Sequence, residues 1–209
     1  MNSIKYLLIS ALIFLSSAFL NAQSLKEIYE SGKKAFYSDK FDEANVLFSQ
    51  ILANESVDYE TCFYKGLVYE VNFDNDKAIS ELTCAISMKP KSVEAYFKRG
   101  TIYDKQLKYP EAILDYSKAI RYDKSNTDAY FNRASDYQEL KQYSDAIKDY
   151  SKVVKLNPAD DIAFYNRGLL YKELKDNNKA IEDFETAIKI DNAWERQLRL
   201  QINSLKNGQ

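Results

Sequence analysis

Apolar residues fall along this chain at helical rather than strand spacing, and they fall in paired runs. From Leu25 onward each run places apolar side chains three and four residues apart, along one face of an α-helix, with polar residues between. Two such runs make a unit, and the unit returns at a constant offset of 34 residues. The phrases AYFKRGTIYDKQLKYPEAILDYSKAI from Ala95, AYFNRASDYQELKQYSDAIKDYSKVV from Ala129 and AFYNRGLLYKELKDNNKAIEDFETAI from Ala163 show it most clearly. With the first unit set at Leu25, five units cover 25–58, 59–92, 93–126, 127–160 and 161–194 without an insertion. The pattern predicts ten helices in five antiparallel hairpins.

Numbered by place in the unit, the first helix presents apolar side chains at positions 4, 8 and 11, and the second at 20, 24, 27 and 28. Position 24 is Phe48, Leu82, Tyr116, Tyr150 and Phe184. Four of the chain's five glycines stand at position 8 (Gly32, Gly66, Gly100, Gly168, with Ala134 in the fourth unit), and position 20 is Ala44, Ala78, Ala112, Ala146 and Ala180. An interior glycine costs a helix about 1 kcal/mol relative to alanine, so its recurrence needs a cause. Small residues at matched heights on two antiparallel helices predict a close approach of the backbones. Proline agrees: Pro90 and Pro158 end units at position 32, and Pro110 stands in the first turn of a second helix, where proline is tolerated.

These residues resemble the tetratricopeptide repeat family, whose motif has a bulky residue at 4, Gly at 8, Tyr at 11, Ala at 20, an aromatic at 24 and Pro at 32. The resemblance covers 25–194 and is best in repeats 3 to 5; repeat 1 departs at Ala35 and Ser56. The family's usual Leu at position 7 is replaced by Arg99, Arg133 and Arg167. The implied fold is all-α, a right-handed superhelical solenoid of five tandem helix-turn-helix repeats. Leu198, Ile202 and Leu205 continue the first-helix phase through 195–209, which predicts a C-terminal capping helix covering the last core face, with Trp194 packed at the junction.

The resemblance also implies that the first helices line a concave groove. Position 5 there is aromatic in every repeat, Tyr29, Phe63, Phe97, Phe131 and Tyr165, and a ladder of rings could grip an extended peptide or a helix. The alternative is that the rings only pack between neighbouring helices. Beside them stand Lys98, Asn132 and Asn166 at position 6, Glu60, Glu94 and Asp128 at position 2, and Glu70 and Asp104 at position 12. Some family members clamp a partner's terminal carboxylate with Lys at 5 and Asn at 9 and 6; here Asn132 and Asn166 match the position 6 asparagine alone, which predicts no such clamp. A mildly acidic groove favours a neutral or basic partner segment.

Composition narrows the function. The chain has 29 Lys and Arg against 31 Asp and Glu, interleaved, which leaves no electrostatic footprint for nucleic acid. It has no histidine, so His-based zinc sites and serine-triad chemistry are excluded. The repeats consume nearly the whole sequence, so no catalytic residue, cofactor site or metal site is expected. Cys62 and Cys84, at positions 4 and 26 of one repeat, could form a disulfide in an oxidising compartment, but position 26 normally points outward, which predicts two free thiols.

Residues 1–22 place Lys5 before an apolar run from Tyr6 to Leu20 and read as a secretory signal peptide cleaved after Ala22, or else after Ala18. An uncleaved anchor is the alternative, since the run falls only a little short of the roughly 20 residues that span a bilayer; no membrane span is expected after cleavage. The combined expectation is an exported, periplasmic or cell-envelope, non-enzymatic scaffold for a protein or peptide partner. A small-ligand or glycan-binding module using the aromatic ladder is the alternative.

Overall fold

The computed structural model describes residues 24–207, all of them in helices or short connections, and the proposed signal peptide lies outside them. Two compact units divide at Lys89 and Pro90. The first holds α1 (Leu25–Phe36), α2 (Phe41–Leu52), α3 (Tyr59–Val71) and α4 (Asn75–Met88). The second holds α5 (Val93–Lys105), α6 (Tyr109–Tyr122), α7 (Thr127–Glu139), α8 (Tyr143–Leu156), α9 (Asp161–Glu173) and α10 (Asn177–Ile190), then a 3-10 turn at Asn192–Trp194 and α11 (Glu195–Lys206). In each unit consecutive helices pair into hairpins that stack in chain order.

Caps at fixed places set these boundaries. The last residue of a repeat caps the next first helix: the side chains of Asp58, Ser92, Asn126 and Asp160 accept the backbone N–H of Thr61, Ala95, Ala129 and Ala163, satisfying donors that the helix cannot. Ser24 and Glu27 do this reciprocally at α1. At the other end of every first helix the residue at position 15 is left-handed, with φ of 58° to 60° at Asp39, Phe73, Leu107, Lys141 and Lys175. The following N–H bonds back to the position 11 carbonyl, as from Lys108 to Tyr103 at 2.9 Å, which turns the chain into the second helix. None of the five is glycine, so each turn carries the strain of an L-residue in that region. Nothing in the periodicity marked it.

The position 8 glycines have a more specific cause than close backbones alone. A Cβ on Gly32 would come within 2.6 Å of the Phe48 ring, on Gly100 within 2.9 Å of Tyr116 and on Gly168 within 2.7 Å of Phe184. The position 24 side chain therefore lies flat on the glycine backbone of its own hairpin, and in repeat 2 Leu82 does the same to Gly66 at 2.8 Å. The position 20 alanines are buried in all five repeats, completing the tight crossing. At the C-terminus Leu198, Ile202 and Leu205 of α11 pack onto Ala180, Phe184, Ala187 and Ile188 of α10. Trp194 is fixed beside them, stacked on Tyr165 at 4.4 Å and donating its indole N–H to Asp161 at 2.7 Å.

Candidate functional site

Arg99, Arg133 and Arg167 at position 7 are structural. Each lies between the rings at positions 4 and 11 of its own helix, as Arg133 does between Tyr130 at 5.7 Å and Tyr137 at 5.8 Å. Each forks onto the aspartate at position 23 of its second helix. Arg99 donates to Asp115 at 2.7 and 2.8 Å, Arg133 to Asp149 at 2.7 and 2.8 Å, and Arg167 to Asp183 at 2.8 and 2.7 Å. The remaining amino groups of Arg133 and Arg167 reach the hydroxyls of Ser117 and Ser151 in the preceding hairpin, at 2.8 and 3.0 Å. The arginine that replaces the usual leucine thus joins two helices of one repeat and, in two cases, joins that repeat to the one before it.

Position 5 divides between the units. Tyr29 and Phe63 are buried, Tyr29 against Phe48 and Tyr64, and burial holds the Tyr29 phenol well above its usual range. These two rings belong to the packing, not to an accessible ladder. In the second unit Phe97, Phe131 and Tyr165 are half-buried, each resting on the position 24 ring of its own hairpin at 5.8, 5.4 and 6.3 Å. One face of each ring is thereby fixed by the core. Glu94 and Asp128 are exposed on the same helices, and Lys98, Asn132 and Asn166 are half-buried. The two asparagines face the tyrosine hydroxyls of the preceding repeat, Asn132 towards Tyr116 and Asn166 towards Tyr150.

The expectation of two free thiols is overturned: Cys62 and Cys84 form a disulfide with their Cα atoms 5.8 Å apart. Position 26 of α4 lies at the flank of the buried stripe and is half-buried, so its side chain leans towards α3 instead of pointing out. Glu81 lies within 4.8 Å of both sulfurs, but a disulfide offers no thiolate to a metal.

A second group was missed by the expectations from sequence. Asp136, on α7, is buried, and neither of its carboxyl oxygens receives a hydrogen bond. Burial, then the neighbouring carboxyl of Asp104, then Glu139 push its pKa up to about 8. The signal was present: position 10 holds Val68, Ile102 and Leu170 in neighbouring repeats, and an aspartate in that register breaks the pattern.

The tetratricopeptide repeat model matches residues 93–126, 127–160 and 162–192. Among solved structures, one described as a crystal structure of MamA is 23% identical, covers 79% of this chain and 96% of its own, and superposes with a TM-score of 0.69. A tetratricopeptide repeat protein from Parabacteroides merdae is 27% identical over 72% of this chain and 60% of its own, with a TM-score of 0.67. A comparison with curated proteins finds no match.

Proposed function

Because the chain belongs to the tetratricopeptide repeat family, we propose that it is a non-catalytic scaffold that binds a partner segment along the first helices of repeats 3 to 5. The observation that carries this reading is the pair Phe97 and Phe131, each half-buried and backed by a core ring, with Tyr165 continuing the row but stacked on Trp194. A ring already held by the fold loses little freedom on binding, so its exposed face offers apolar contact at small entropic cost. The exposed carboxylates of Glu94 and Asp128 favour a neutral or basic segment over an acidic one.

The compartment proposed is the cell envelope, the periplasm in particular. Support comes from the apolar run after Lys5 and from the Cys62–Cys84 bond, which suits an oxidising environment. Among the described residues no helix is long and apolar enough to cross a membrane. A pull-down from envelope extracts tests the binding face. A partner recovered by the parent chain and lost on Phe97→Ala plus Phe131→Ala supports it; capture indifferent to those changes contradicts it.

A further inference from the structure

Position 10 of the first helix holds buried Val68, Ile102 and Leu170 in repeats 2, 3 and 5 and exposed Lys34 in repeat 1. In repeat 4 it is Asp136, only 1% exposed, with both carboxyl oxygens lacking a donor. The group that meets it is a second carboxyl, Asp104 of α5. Buried beside that second carboxyl, Asp136 resists carrying a charge of its own unless a cation comes between the two. The buried Tyr116 hydroxyl of α6 bears on the same carboxyls, and the Asn132 side chain meets it. The other ionisable groups that bear on this cluster are Glu139 of α7, Tyr109 at the start of α6, Tyr150 of α8 and Asp115 of α6, whose charge Arg99 already engages.

Such a cluster is short of positive charge and of N–H donors at once, and the side chains that supply both are lysine and arginine. Asp104 at position 12 and Asn132 at position 6 are half-buried, on the helices whose rings are assigned to the partner above, whereas Asp136 is buried, so Asp104 and Asn132 are the members of the cluster that a partner side chain meets first. We propose that Asp104 and Asp136, with the Tyr116 hydroxyl and the Asn132 side chain, form a subsite for a lysine or arginine side chain of the bound segment. The subsite rests on the reading of repeats 3 to 5 as the binding face and sharpens it, from a preference for basic character to one place where a basic side chain is held. Its occupant also displaces a proton: with the pKa of Asp136 pushed up to about 8, that carboxyl holds its proton at neutral pH in the empty subsite and gives it up to an arriving cation.

A lysine hexapeptide with blocked ends serves as the probe, titrated calorimetrically into the full chain in buffers of different ionisation enthalpy. The parent is expected to release close to one proton per peptide at pH 7, with affinity rising up to about tenfold per pH unit from 6 to 7.5. Asp136→Asn and Asp104→Asn, each checked for an unchanged circular dichroism spectrum, should lose the proton release and flatten the pH dependence. The proposal is overturned if both variants bind with the parent's proton release, if the parent does not bind, or if calcium ion alone evokes the release and the peptide does not. Any of these leaves the aromatic binding face standing, because that face is judged separately by Phe97→Ala plus Phe131→Ala.

Discussion

In the first unit a covalent bond ties the two helices of repeat 2, from Cys62 to Cys84, whereas the second unit ties each of its three hairpins with a buried arginine fork between positions 7 and 23. The same two places in repeats 1 and 2 hold Ser31 with Leu47 and Lys65 with Glu81, so the repeat does not require the fork. The two devices act differently. A disulfide stabilises chiefly by limiting the unfolded chain, and it does so only while oxidised. A fork fixes the angle and register of two helices, and through Ser117 and Ser151 it also fixes one hairpin on the previous one. Position 5 follows the same division: its rings are absorbed into the first unit and remain half-exposed in the second. The proposed binding face lies in the unit whose hairpins are locked by polar geometry.

Breaking one fork should have the largest effect. Arg133→Leu restores the family's usual residue but leaves Asp149 buried and unpaired, and should cost about 3–5 kcal/mol by denaturant unfolding. Adding Asp149→Leu should recover most of the loss, since a buried pair replaced by apolar side chains is often neutral; a double variant as unstable as the single would show that the fork contributes more than charge balance.

Removing the disulfide with Cys62→Ala plus Cys84→Ala should cost about 3 kcal/mol, the entropy of a loop of this size, and should abolish any effect of reductant on melting. Hydrogen exchange should show faster opening in residues 59–88; unchanged protection there would mean that the bond does not hold the hairpin of repeat 2.

Next in size is a pH-dependent effect in the second unit. Because the folded pKa of Asp136 is raised to about 8 from 3.8, its contribution to stability is whole below the unfolded value and is lost as pH rises through the folded one. Asp136→Leu should therefore raise the melting temperature most at pH 9, and the gain should shrink as pH falls towards 5. A gain independent of pH would mean that the carboxyl is not titrating in the fold. The smallest change is in the first unit: Phe73→Gly relieves a left-handed residue whose side chain is 83% exposed, and should add about 1 kcal/mol; a loss would show that the ring has a packing role.

The hairpins were legible because their physics is periodic. Glycine under a flat ring at positions 8 and 24 and alanine at position 20 recur wherever two helices cross, and recurrence at fixed spacing is what a sequence displays. The left-handed turn at position 15 was not legible, since Phe73, Leu107 and Lys141 carry no turn signature and the strain is imposed by the two helices they join. The fork was half legible: arginine at position 7 stood out, but its partner lies sixteen residues on in another helix and is identified only by folding. The thiol pairing is not legible because position 26, outward in the usual register, lies here at the edge of the buried stripe. The position 5 ladder looks like one surface in the sequence, yet Tyr64 at position 6 helps bury Tyr29, whereas Lys98 and Asn132 at that position leave Phe97 and Phe131 half-exposed and Trp194 stacks on Tyr165.

The central question is which of the two units carries the proposed binding face. Quantitative pull-downs from one envelope extract should compare Tyr29→Ala plus Phe63→Ala with Phe97→Ala plus Phe131→Ala, both below their melting temperatures. Partner recovery retained by the first pair and lost by the second is the expected result; loss in the first with retention in the second would place the face elsewhere and contradict the account.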